Sequence, residues 1–397
     1  MLIKRREFLQ STALASASLL LPKFLNAMAG NALPNGRQKV LVVVQLTGGN
    51  DGLNTIIPYT NDLYYNNRPE LSISKQQALR LNDDAGLNSN LPILKELHDE
   101  GYLAVLNNVG YPNPNRSHFR SMDIWHSASN ADEYLTTGWL GRYLDELCKD
   151  CNLPTQLIET DDILSLALKG DAHQGINFRD PRKIYNKAQE HFYKNIGNSH
   201  QHEHEMADYL YKILGETINS TNYILEKSKA NPSKAAYPST TFGNNLKHIA
   251  SLIRSDINTS VYYVSLGSFD THVRQQARQT ELFKELNAGL QVFTQDLKKS
   301  NRFNDVLIMT FSEFGRRVAQ NASAGTDHGT ANNMFFISGA LRQKGIINEL
   351  PDLSNLSNGD LQYTVDFKNV YATILNKWLN SSVPNILGKD FESLDFI

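Results

Sequence analysis

Cysteine is nearly absent from this chain of 397 residues: there are two, Cys148 and Cys151, in "LCKDCNLP". Two thiolates cannot close a tetrahedral zinc site on their own, so a cysteine metal cage is excluded. The C-x-x-C spacing suits a local disulfide in an oxidising compartment or a redox centre. Chance spacing of two structural cysteines explains it equally, and no function is assigned to the pair. An excess of one charge is also missing, with 39 basic residues against 41 acidic ones. Nothing therefore marks a nucleic-acid partner, and no long block of like charge marks a tail. Past residue 29 no apolar stretch approaches the roughly 20 residues of a membrane helix. There is no internal repeat. What is present is 41% hydrophobic content, enough to bury a large core as one big domain or two modest ones.

The N-terminus carries three regions in order: basic "KRREFLQ" (4–10), apolar "STALASASLLL", and small-residue "AMA" ending at Ala29. That order describes a removable export signal. Paired Arg5-Arg6 followed by Glu7-Phe8-Leu9 narrows it to the twin-arginine type, an address read by the export machinery. Removal of residues 1–29 leaves a mature chain, 30–397, that is mildly acidic. The expected location is periplasmic or secreted, with no membrane span after processing.

Several runs read as buried strands: "KVLVVVQL" (39–46), "LAVLNNV" (103–109), "VYYVSL" (261–266), "DVLIMTF" (305–311) and "NMFFISG" (333–339). Their near-continuous apolar character suits a sheet covered on both faces. Helical patterns such as "LPILKELHDEG" lie between them, which predicts an α/β fold with a central, mostly parallel sheet flanked by helices. Residues 181–256 differ, being polar and helix-rich without strand signals, and read as a helical insertion or cap. Within it, "SHQHEHE" offers His200, His202 and His204. Their i, i+2 spacing points them to different faces of a helix, so they read as a solvated helix start.

Three strands run straight into polar motifs. "VLVVVQL" leads to "TGGNDGLN" with Asp51, "VYYVSL" to "GSFDTH" with Asp270 and His272, and "DVLIMTF" to "SEFGRR" with Glu313 and Arg316. Taken singly, these are a tight turn, a helix cap and a surface ion-pair cluster. "TGGNDGLN" also lacks the G-x-G-x-x-G spacing of a dinucleotide site. Taken jointly, they deliver carboxylates to one edge of an α/β sheet, outside the carboxyl ends of strands, where ligands bind. A fourth segment, "YPNPNRSHFRSMDIW", places Ser117 at a helix N-cap. A serine there can cap, hold an anion or act as a nucleophile, and Arg116 and His118 beside it suit an anionic substrate.

The motifs "LTGGNDGLNTIIPY", "NRSHFRSMDIW", "GSFDTH", "SEFGRRVAQN", "GTDHGTAN" and "DFKNVYATILNKWL" together resemble a bacterial exported family, the domain of unknown function 1501. That family looks like a branch of the alkaline phosphatase and sulfatase superfamily. The resemblance implies an alkaline phosphatase-like central sheet, a metal site at one edge, and hydrolysis of phosphate or sulfate esters. It matches Asp51 to the superfamily's first ligand carboxylate and sets Ser117 near the nucleophile. Asp270 and His272 look like an Asp…His ligand pair with shortened spacing. Glu313 and Phe314 stand where the superfamily has Asp-His, and Phe314 cannot ligate. His328 resembles the late histidine ligand, with Asp327 ligating or just behind it. The implied cofactor is a divalent ion (zinc, manganese or calcium); from its place after the strand end, Arg316 is expected to neutralise the anion. The expected partner is a small anionic ester or an envelope glycan. The competing expectation is a non-catalytic envelope binding protein on a degenerate phosphatase-like fold.

Overall fold

The computed structural model describes residues 37–147, 154–190 and 205–397. The export signal, Cys148, Cys151, His200, His202 and His204 lie outside the described residues.

A nine-stranded sheet forms the centre. Its strands are β1 (Val40–Leu46), β2 (Leu103–Gly110), β3 (Leu157–Glu159), β4 (Ile176–Asn177), β5 (Val261–Leu266), β6 (Val306–Phe311), β7 (Asn332–Ile337), β8 (Gly345–Ile346) and β9 (Val365–Asp366). They run in the order β8-β2-β7-β6-β1-β5-β3-β4, with β9 also pairing β2. β1 lies parallel to β5 and β6, with Val43 opposite both Tyr263 and Met309. β7 is antiparallel to its neighbours β6 and β2; every other pairing in this sheet is parallel.

The apolar strands are continuous because both faces of the sheet are covered. Val42, Val44 and Leu46 pack on one side, with Ile93, Leu94 and Leu97 of α1 (Pro92–Asp99). The same layer takes Leu246, Ile249 and Ile253 of α6 (Thr241–Arg254) and Phe283, Leu286 and Leu290 of α7 (Gln275–Lys299). Leu41 and Val43 face the other side, against α2 (His118–Ser127), α3 (Trp139–Leu147) and α8 (Phe367–Thr373). The architecture is thus α/β, in three layers. In the stretch read as a helical insertion, α4 (Pro181–Ala188) and α5 (Glu205–Ala230) precede α6. α6 itself is part of the layer that covers the sheet.

The strand directions position the site. β1, β2, β5 and β6 are mutually parallel, so the segments leaving their C-terminal ends emerge at one edge. The antiparallel β7 begins at that same edge. Residues 312–331 therefore leave the sheet and return to it without crossing, and carry Glu313, Arg316, Asp327 and His328 around one rim.

Candidate metal centre

Each rim segment is held close by a specific local device. Gly48 and Gly49 have φ of +113° and +77°, a region that side chains rarely adopt. A Cβ on Gly48 would lie 2.4 Å from the Asp270 nitrogen, and one on Gly49 would strike the Phe314 ring. The glycines of "TGGNDG" thus let three loops touch. Ser312 Oγ donates to Leu46 O (2.5 Å) and accepts from Asn50 N (2.9 Å). Glu313 is fully buried and accepts the Gly48 N–H at 2.8 Å.

The centre is built around Asp270 Oδ1. His272 Nε2 and His328 Nε2 each lie 3.0 Å from it, His118 Nε2 3.4 Å, and Arg316 Nη2 2.8 Å. His118, Asp270 and His328 place one ligand atom each within 4.8 Å of one another. His272 Nε2 is 2.9 Å from His328 Nε2. The four side chains are partly open to solvent, at 21 to 45% exposure.

The far side of each imidazole has its own partner. His118 Nδ1 lies 2.9 Å from Glu313 Oε1, His272 Nδ1 3.1 Å from Asp327 Oδ1, and His328 Nδ1 2.8 Å from the Arg116 carbonyl. These oxygens only accept, so each Nδ1 must carry the proton. A neutral ring has one N–H and one lone pair, which leaves Nε2 bare in all three. The bare nitrogens of His118 and His328 therefore share one small volume with the Asp270 oxygen, and that of His272 lies beside His328 and Asp270. Two lone pairs 2.9 Å apart repel unless a proton or a cation lies between them. Carboxylate or carbonyl behind histidine is the usual outer arrangement of a metal site. The residues fit a divalent ion on the chemistry of their donors.

Charged neighbours act on each of these groups. Burial opposes ionisation of Asp270, but the Arg316 guanidinium that donates to it and the imidazoles beside it outweigh burial and hold the carboxyl down at about 2. The Glu313 hydrogen bond pulls His118 toward its charged form against burial. Asn321 and His272 lower the Asp327 carboxyl.

The sequence-predicted residues divide into three groups. Asp270, His272 and His328 converge, and His118, expected beside an anionic substrate, stands among them. Glu313 and Asp327 lie one shell out, each behind a histidine. Asp51 has other partners: it is buried, paired through Oδ2 with Arg68 at 2.6 Å and bonded by Gln275. Arg316 is buried too, its guanidinium donating to the carbonyls of Gly48, Gly49 (2.6 Å), Thr326 (2.8 Å) and Phe269 (2.9 Å) besides Asp270. It staples the loops, and its guanidinium is closed off from solvent. The exposed cations nearby are Arg116 and Arg317, both beside the buried Asp360. Ser117 is the exposed N-cap of α2, and its side chain makes no capping bond. Phe314 is buried, its ring centroid 4.9 Å from His118 and 4.6 Å from His328; it is the apolar floor under two imidazoles. Gln275 and Arg68 carried no signal in the sequence, since a lone amide or arginine announces no partner.

A family model described as "Protein of unknown function (DUF1501)" matches residues 102–384. No curated protein matches the sequence. Similar solved structures include the lipoteichoic acid synthase LtaP from Listeria monocytogenes, with 10% identity, a TM-score of 0.36, and 86% of this chain and 73% of that one covered. The PsFucS1 sulfatase from Pseudoalteromonas sp. has 11% identity and a TM-score of 0.38 over 99% and 75% of the two chains. A protein in the alkaline phosphatase superfamily from Vibrio parahaemolyticus has 10% identity and a TM-score of 0.35 over 90% and 70%. Likeness this loose carries no weight for chemistry, and the α/β architecture rests on the sheet itself.

Proposed function

The chain belongs to the DUF1501 family, and on the geometry of its rim we propose that it is an exported, metal-dependent hydrolase of phosphate or sulfate esters. The observation that carries this reading is the set of three histidines whose protonated Nδ1 atoms are anchored outward while their bare Nε2 atoms meet at Asp270 Oδ1. Three imidazoles and one carboxylate suit zinc, with manganese next, rather than calcium, whose sites are made of oxygens.

His118, His328 and Asp270 would hold the ion, with His272 beside them as a further donor. Glu313, Asp327 and the Arg116 carbonyl fix the rings. When bound, a divalent ion supplies Lewis-acid polarisation of an ester oxygen and offsets charge on the leaving oxygen. Around it stand Asp270, Glu313, Asp327 and Asp360 against Arg116, Arg316 and Arg317. Four carboxylates and three guanidiniums are net negative; two added positive charges make the centre net positive, as an anionic ester requires. Ser117 lies between Arg116 and His118 in the chain and its side chain makes no capping bond; its proposed role is to attack phosphorus or sulfur or to orient a water. Arg116, rather than the buried Arg316, meets the anion. Export by the twin-arginine route to the periplasm or beyond is proposed from residues 1–29. No helix among the described residues is long and apolar enough to cross a membrane.

The test is turnover of aryl phosphate and aryl sulfate by the purified protein after loading with zinc or manganese, against Ser117→Ala and Asp270→Asn controls. Turnover of one ester above both controls is expected; its absence for both esters sinks the hydrolase. A second reading, a non-catalytic binder of an anionic envelope glycan, draws on one observation: Arg116 and Arg317 are both drawn to Asp360. It predicts binding of such a glycan with no turnover.

A further inference from the structure

Asp51 is the carboxylate nearest the end of the first strand, yet its Oδ2 is taken by Arg68 and Gln275 rather than by a histidine. We propose that it is a positioning residue: through Gln275 it locks together the two loops that carry Asp270, His272 and His328. The proposal rests on the metal reading above and extends it to residues that do not touch the ion.

The contacts form one buried chain. Gln275 Nε2 donates to Asp51 Oδ2. Gln275 Oε1 accepts from Thr271 Oγ1 at 3.1 Å and from Thr326 Oγ1 at 2.5 Å. Thr271 lies between Asp270 and His272; Thr326 precedes Asp327 and His328. One amide oxygen therefore joins both ligand loops at their ligands. Backbone bonds run alongside, from Gln275 N to Ala324 O (2.9 Å), Arg274 N to Ser323 O (3.0 Å) and Thr326 N to Thr271 O (3.3 Å).

The carboxylate is needed because an amide can be turned over. A hydroxyl both donates and accepts, so Thr271 and Thr326 by themselves would tolerate either face of Gln275. Asp51 only accepts. It forces the NH2 toward itself and the carbonyl toward the two hydroxyls. Arg68 fixes Asp51 in turn, with its remaining donors on Asn54 Oδ1 (3.0 Å), Val318 O and Arg317 O (both 2.8 Å). Asp51, Arg68, Thr271, Gln275 and Thr326 are all at most 5% exposed, so water has little access to replace a lost partner. The competing role for Asp51 is direct ligation, its Oδ1 having no hydrogen-bond partner among the described residues.

The test is zinc affinity of the full mature chain, stripped with a chelator and titrated against a chromophoric competitor. Thr326→Val, which keeps shape and removes the donor, and Gln275→Met should each weaken zinc binding roughly tenfold to a hundredfold, as loss of outer partners does. Thr326→Ser, which keeps the hydroxyl, should restore wild-type affinity. With cobalt(II) in place of zinc, the saturated visible spectra of Thr326→Val and Asp51→Asn should equal that of the wild type, because the ligands are unchanged. Wild-type affinity in both Thr326→Val and Gln275→Met overturns the clamp. An altered saturated spectrum in Asp51→Asn makes Asp51 a ligand and overturns the positioning role. Failure of the wild type to bind zinc or cobalt sinks the metal reading itself, a result distinct from either. Should Asp51→Asn not fold, with Arg68 left unpaired, the Thr326 pair still decides.

Discussion

Two histidine-bearing clusters sit on this one sheet, and they have opposite fates. At the open rim, His118, His272 and His328 each have an acceptor behind them and are partly solvated. Deeper, on the α2 face, His126 Nε2 meets Gln45 Oε1 (3.2 Å) and Tyr263 Oη (3.0 Å), and none of its hydrogen-bond partners among the described residues is a carboxylate. Burial, with Lys169 nearby, lowers the His126 ring to about 4. Glu159, two strands from β1, is raised by burial to about 8 despite accepting the Ser165 N–H at 2.7 Å. The inner cluster is thus uncharged near neutral pH, while the rim concentrates charge and lone pairs. What separates them is outer partners and water, not residue type. A histidine becomes a candidate ligand when something behind it fixes its proton and its bare nitrogen can be reached.

The comparison can be broken on either side. The largest expected effect is on the support of the rim: Arg68→Met leaves Asp51 buried without its counter-ion, and should cost about 3–5 kcal/mol of stability, read by urea denaturation. On the inner side, Glu159→Gln should matter only where Glu159 ionises. Its folded pKa lies above its unfolded value, so the folded state holds the extra proton. Native stability is then full below about pH 4, declines as pH rises, and has lost its whole share above about pH 8. The variant should match the wild type at pH 4 and exceed it at pH 9 by on the order of a few kcal/mol; equal stability at both values would show Glu159 to be solvated. At the rim, Asp270→Asn should weaken zinc binding beyond the roughly hundredfold that outer partners give, since it removes a ligand; a competition titration measures this. Smallest is Phe119→Ser. Phe119 is 86% exposed beside His118, so the substitution should move stability by no more than about 0.5 kcal/mol and leave zinc affinity unchanged, separating neighbours of the site from members of it.

The long strands were legible because a two-sided apolar environment writes itself into a run such as Val40–Leu46. β3 and β4, with three and two residues, carry no usable period, and the sequence reading passes over them. The direction of β7 was hidden as well, because an apolar run reads alike in either orientation. At the site, "GSFDTH", "SEFGRR" and "GTDHG" named most of the residues that converge. Phe314 read as a defect in a ligand pattern, and folding makes it the surface on which two histidine rings rest. Arg316 read as an anion binder because a cation beside a carboxylate suggests one; its burial among carbonyls depends on loops that meet only in three dimensions.

By itself the sequence determined the α/β class and the residue types delivered to the strand ends, since both follow from local apolar pattern and chain order. Tertiary structure alone decided which atom of each residue faces the centre. Asp51 meets an arginine 17 positions on and a glutamine 224 positions on, and Glu313 meets His118 across 195. A carboxylate ligates, pairs or props according to what packs against it, and packing partners that far apart leave no mark in a local motif.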